Sequence, residues 1–146
     1  MKQVSKLTIF LLLLVTLWAM GCTGVNKYQV AFGITDWFYM ERITLDSQYA
    51  NGTPELQAWM RANINPHMNI LQQMIIALGA IDRDDSVKVA ACASEVLRIA
   101  TGIKYDASRI VVAIKAKDYD TLLAETLALK TLIINRAAEK KIFLRK

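Results

Sequence analysis

The sequence predicts an all-α protein, an antiparallel up-down-up-down four-helix bundle. Three observations predict it. Beyond residue 22 the apolar residues recur at alternating steps of three and four, the period of a helix facing a core. Strong breaks are few: Asn51-Gly52, Asp82 to Ser86, and Lys117 to Asp120. The connections they leave are short, which makes consecutive helices antiparallel neighbours.

The first helix is placed at about 26–49. Tyr28-Gln29-Val30-Ala31-Phe32-Gly33-Ile34 alternates like a strand. A lone strand would have no partner, and Val25, Tyr28, Phe32 and Tyr39 also fit a helical face, so helix is preferred. Asn51-Gly52 stops it, since both residues accept positive φ. The second helix is placed at about 54–81. Thr53 can cap it, Pro54 suits its first position, and Glu55 favours the positive end of its dipole. Met60, Ile64, His67, Leu71, Met74, Leu78 and Ile81 make one seam, with Met68 and Ile75 beside it. Pro66 should bend this helix, because it lacks a backbone donor and crowds the preceding turn.

The third helix is placed at about 86–117. Val89, Ala93, Val96, Ala100, Ile103, Ala107, Ile110 and Ile114 keep one seam straight through Gly102, which costs a helix interior about 1 kcal/mol. The fourth is placed at about 119–144, with Leu122, Leu123, Thr126, Leu127, Leu129, Ile133, Ile134 and Ala137 on one arc.

Residues 1–22 carry a different signal. Lys2 and Lys6 precede an uncharged apolar run of about 14 residues, Leu7 to Met20, which is short of the roughly 20 that span a bilayer. A basic segment, an apolar segment and small residues before a cut make an export signal. Ala19-Met20-Gly21-Cys22 resembles the lipobox of bacterial lipoproteins, with Ala19 where the pattern usually has Leu. The resemblance is confined to residues 1–22. It implies a signal peptide at 1–21, and a mature single domain at 22–146 whose N-terminal Cys22 carries the lipid. The anchor then holds an exported protein on a membrane of the cell envelope, facing the periplasm in a host with two membranes. Thr23, where an Asp would retain the protein at the inner membrane, implies an outer-membrane destination in such a host.

Removing residues 1–21 takes Lys2 and Lys6 and no acid, so the formal charge falls from +5 to +3. That is mild and makes no case for nucleic acid. Cys22 is spent on lipid, and Cys92 is left among Val89, Ala93, Val96 and Ile99, where it reads as a small buried hydrophobe.

Chemistry-bearing patterns are sparse, and an enzyme is not expected. His67 is the only histidine. With Met60, Met68 or Met74 it offers haem ligands, but there is no C-x-x-C-H. One His and one free Cys cannot supply a zinc site. A di-iron bundle needs Glu three residues before His67, where Ile64 stands. Asp82, Asp84 and Asp85 lack the glycine and terminal Glu of a calcium loop and read as a solvated cap cluster. Ser-His-Asp catalysis has no nucleophile context.

Lys130 breaks the fourth apolar arc. A buried lysine needs a partner, and Glu95 is the candidate, with snorkelling of the stem as the simpler alternative. Trp37-Phe38-Tyr39-Met40, with Tyr28, Phe32, Tyr49 and Trp59, concentrates aromatics in the first half. Consecutive aromatics cannot all face one core, so some point outward, which hints at a partner surface, with single exposed aromatics of no role as the alternative. Arg136, Lys140, Lys141, Arg145 and Lys146 form a basic C-terminal cluster, which reads equally as ordinary helix charge matching the negative end of the last helix's dipole. In an up-down-up-down bundle anchored by Cys22, that cluster and the 82–86 turn face the bilayer, while 50–53 and 117–119 are distal. The expected role is an interaction or structural module of the envelope with a protein partner. The alternative is a carrier of haem or another small ligand in the bundle interior; no cofactor is assigned.

Overall fold

The computed structural model describes residues 27–146; among them the regular structure is helix, without strand. The first helix, α1, covers 27–50 and buries Ile34, Trp37, Phe38 and Leu45. It closes with Asn51 N–H on the Ser47 carbonyl at 3.1 Å and Gly52 N–H on the Tyr49 carbonyl at 3.2 Å. Gly52 is needed there for room and not for positive φ. A Cβ would sit 2.9 Å from the Gln48 carbonyl oxygen and 3.0 Å from Leu56 Cδ2.

Thr53 caps α2 (Pro54–Asn63), its hydroxyl accepting from Leu56 N–H at 3.2 Å, with Pro54 and Glu55 in the first turn. The expected second helix is broken at Ile64, two residues before Pro66, and resumes as α3 (Asn65–Asp82). Pro66 offers no N–H to the Ala62 carbonyl, so the ladder opens just ahead of it. Asn63 turns its side-chain amide onto the Trp59 carbonyl at 3.0 Å. α3 packs against α2, α4, α5 and α6, and Ile70, Leu71, Met74, Ala77 and Ala80 are wholly buried on it.

The expected third helix is two. α4 runs Ser86–Gly102, capped by Asp85, and α5 runs Ser108–Lys115. Between them Lys104 takes φ 54°, a left-handed conformation. Tyr105 N–H returns to the Ala100 carbonyl at 2.9 Å and Lys104 N–H to the Thr101 carbonyl at 3.3 Å. Paired return bonds around one left-handed residue end a helix. The chain then doubles back: Lys117 Nζ donates to Asp84 Oδ1 at 3.1 Å and to Ser86 Oγ at 2.7 Å, at the start of α4. The 3-4 seam survives the reversal because it reports only which residues face the core. Val89, Ala93, Val96 and Ala100 on one arm, and Ala107, Ile110 and Ile114 on the other, are all buried.

One extra reversal inverts the direction of the last helix, α6 (Tyr119–Glu139), which Asp118 caps. Its first turn lies beside the first described residues: Lys27 Nζ is 3.8 Å from Asp120, and the Tyr28 and Tyr119 rings are 5.5 Å apart. A helix of 21 residues then carries its C-terminus about 30 Å away. The expected antiparallel order is corrected accordingly. The turns at 82–86 and 117–119 share the end where residue 27 lies, and α6 runs away from that end.

α6 also stops before the expected 144. Lys141 takes φ 59°, with Ile142 N–H returning to the Ala137 carbonyl at 3.0 Å. The last residues fold back as an extended tail, Ile142 and Leu144 inward and Phe143 outward.

Four helices end on a left-handed residue that is not glycine: Asp84, Lys104, Lys117 and Lys141. That conformation costs an L-residue roughly 1–2 kcal/mol and a glycine little. Lys104→Gly should therefore raise stability by about 1 kcal/mol, read as a higher urea midpoint at unchanged slope. A lower midpoint would show that the Lys104 side chain, and not the backbone, holds the reversal.

Candidate functional site: the outer face of the first helix

α1 is apolar on two opposite faces. At 100° per residue Ile34, Trp37, Phe38, Glu41 and Leu45 share one side, and all are buried. Tyr28, Phe32, Tyr39 and Ile43 fall within an arc of about 60° on the other side, with Met40 at its edge. This outer stripe is solvent-facing: Phe32 is 76% exposed, Ile43 68% and Tyr39 58%. The expectation that some of Trp37-Phe38-Tyr39-Met40 point outward is met by Tyr39 and Met40, while Trp37 and Phe38 are core.

Cations flank the stripe. On one side Lys130, Arg145 and Lys146 line a cleft of about 330 Å³ with Val30, Gly33 and Trp37. On the other, Arg42 lies over the Phe38 ring, 5.8 Å from its centroid. The acids of this helix are matched: Asp36 is 4.0 Å from Arg145, Asp46 is 4.0 Å from Arg42, and Glu41 accepts from Arg145 Nε at 2.8 Å.

The C-terminal tail is latched to α1 through that same arginine. Trp37 Nε1 donates to the Arg145 carbonyl at 2.6 Å, and Glu41, 4% exposed, takes the Arg145 guanidinium. Lys130 reaches over the Trp37 ring, 5.2 Å from its centroid. Of the two readings of Lys130, the pair with Glu95 is not made in this geometry. Glu95 holds Arg98, three residues on, through both carboxylate oxygens, which lowers its carboxyl below the usual range. Lys130 is half-buried and lies against an aromatic face, with its stem along the cleft.

The basic C-terminal residues do not form one cluster. Arg136 turns inward to the helix break, Lys140 lies over the Trp59 ring at 5.3 Å, and Arg145 is in the latch. Lys141 supplies the left-handed cap and Lys146 lines the cleft. Arg136 and Lys140 lie toward the end that α6 runs to, beside His67 and Trp59, whereas the tail brings Arg145 and Lys146 back beside Val30 and Gly33, so one continuous patch is not assembled. Residues 1–21 and Cys22 lie outside the described residues. Cys92 is buried and free, its thiol pushed up chiefly by burial. Asp85 is a cap, and Asp84 holds Lys117. Among the described residues no group of three or more His, Cys, Asp or Glu could hold a metal ion, and no helix is long and apolar enough to cross a membrane.

At the break in front of α3 sits a small buried polar group that sequence reasoning placed only in part. The His67 ring is 3% exposed and packs edge-on to Tyr105, 5.3 Å between centroids. Arg136 Nη1 is 3.0 Å from His67 Nε2 and 3.4 Å from the Asn63 carbonyl oxygen. A guanidinium only donates, so Nε2 accepts and the ring proton sits on Nδ1, a buried atom without a close partner. Burial first, and the Arg136 charge second, hold the imidazole down at about 4 from an ordinary 6.5, while the Asn63 carbonyl works the other way. Burial also pushes the Tyr105 phenol up, with Glu125 adding to it and Arg136 opposing. His67 Nε2, the atom a haem iron would take, is thus occupied by Arg136.

No family model matches the chain, and neither curated proteins nor solved structures match it.

Arg145→Ala should destabilise the fold by about 1–3 kcal/mol, the cost of leaving the buried Glu41 carboxylate without its partner, while the backbone carbonyl of residue 145 still takes the Trp37 indole. Glu41→Gln in that background should recover part of the loss, read from urea unfolding of the full cycle. Additive losses would mean that the two residues do not interact.

His67 also gives the fold an acid sensitivity. In the unfolded chain the imidazole takes a proton near pH 6.5, and in the folded chain only at about 4. Between those values the unfolded state binds more protons, so stability falls as pH drops through the window. His67→Gln keeps an acceptor for Arg136 without the titration, so its thermal midpoint should change less between pH 6.5 and 5 than the parent's. Parallel profiles would place the titrating group elsewhere.

Proposed function

We propose that the chain is an exported, lipid-anchored module of the bacterial cell envelope. It acts by presenting a surface, not by catalysis, and sits on the outer membrane where the host has two membranes. The observation that carries the anchor is the basic start, the short apolar run and Ala19-Met20-Gly21-Cys22. The outer stripe of α1 supports a surface role. Its exposed aromatic and aliphatic side chains lie six residues and more beyond Cys22, on a helix whose opposite face already fills the core. Contiguous apolar exposure of this kind marks interaction sites. The carrier reading receives less support. His67 is engaged by Arg136, and the large side chains Met60, Ile64, Leu71 and Met74 fill the interior at no exposure.

The anchor is tested by metabolic labelling with palmitate. The full chain should take up label and fractionate with membranes. Cys22→Ser should lose the label and leave either an uncleaved precursor or a protein released from the membrane. Undiminished labelling of Cys22→Ser would sink the anchor reading.

A further inference from the structure

We infer that the outer face of α1 rests on the lipid surface that holds the anchor, with Tyr28, Phe32, Tyr39 and Ile43 at headgroup level and the flanking cations on anionic phosphates. This rests on the lipid-anchored reading of Cys22. The tether then keeps the stripe close to the lipid. Tyr28 is six residue steps from Cys22, a span of at most about 22 Å. The stripe itself runs about 22 Å along the helix, from Tyr28 to Ile43. Tethering at that distance makes contact with the bilayer effectively intramolecular.

The composition fits that plane. Tyr and Phe suit the boundary between headgroups and acyl chains, and Lys and Arg beside an apolar stripe are what an in-plane amphipathic helix carries. Arg42 stands on one flank, and Lys130, Arg145 and Lys146 on the other. Asp36 and Asp46, the acids nearest the stripe, each lie 4.0 Å from an arginine. Each cation near an anionic surface contributes through a field that fades within a Debye length. A second copy is the competing occupant. In a two-fold pair the stripe would meet itself and leave Lys130 and Lys146, which are in no ion pair among the described residues, at its rim, whereas anionic lipid complements them.

The test uses the full, lipid-anchored chain in vesicles of phosphatidylethanolamine and phosphatidylglycerol. Phe32→Cys carries an environment-sensitive fluorophore, and Val112→Cys on α5, 65% exposed, carries the same dye as reference. Cys92 is buried and does not compete for the label. The dye at 32 should shift to the blue and be quenched several-fold more by quencher-bearing lipids than the dye at 112. Adding Tyr39→Glu with Ile43→Glu should remove that difference, with palmitate incorporation and the thermal midpoint unchanged. Equal quenching at the two sites overturns the inference. So does a blue shift that persists in detergent and grows with protein concentration, which assigns the face to a second copy. If palmitate is not incorporated, the anchor reading fails by itself, and the labelled chain, now carrying Cys22→Ser so that only the introduced cysteine takes the dye, is mixed with the same vesicles. Preferential quenching at 32 then upholds the lipid face, and its absence overturns it.

Discussion

The left-handed backbone at Lys104 determines the course of everything that follows it. Without that residue at φ 54°, α4 would continue along the seam that runs through Gly102, and α6 would return toward the first residues. With it, the chain reverses once more, α6 departs from the end that holds Lys27, and its C-terminus lies about 30 Å away. Only from there can the extended tail fold back beside α1 and bring Arg145 to Glu41. The latch, the cleft under Lys130 and the cationic flank of the stripe all follow from one backbone torsion. The reversal is held at its base by Lys117 on Asp84 and Ser86, so the two left-handed caps at Asp84 and Lys117 face each other across the end of the hairpin.

Much of the helical content was legible because its causes are local. Thr53, Asp85 and Asp118 each bond a backbone N–H three residues on, as cap residues do, and Pro54 opens α2. The buried residues follow the 3-4 steps read from the pattern. Chain direction was not legible. A seam states which side chains face the core and is silent on whether the backbone has turned round between two of them. Glycine is no guide to the turns: the sequence suggests Gly102 as a cost within a helix and Gly52 as a positive-φ stop. The left-handed positions are held by lysine and aspartate, and Gly52 answers to the Gln48 carbonyl.

The site residues divide in the same way. That the aromatics of α1 exceed what one core can take is a statement about one helix, and the outward Tyr39 bears it out. Partners across the fold are a different matter. Lys130 faces Trp37, which could not be assigned without the course of α6 beside α1, whereas Glu95 has Arg98 one turn away, a local i,i+3 pair. Arg136 looked like ordinary C-terminal helix charge. Its true setting, against the Asn63 carbonyl and His67, exists because Pro66 opens the ladder there and leaves acceptors that a cation can satisfy.

Arg145 joins these strands of argument. Its guanidinium neutralises a carboxylate that α1 buries, its carbonyl takes the Trp37 indole, and its other edge reaches Asp36 beside the outer stripe. The tail is therefore no free appendage. It is fixed to the inner face of α1 through Trp37 and Glu41, while Arg145 and Lys146 line the cleft on the stripe's flank. A rigid flank matters for a weak surface contact, because each loosely held cation would lose entropy on binding that a pre-positioned one has already lost on folding. The same latch that completes the core thus sets out the charges around the one face of α1 that the core leaves uncovered.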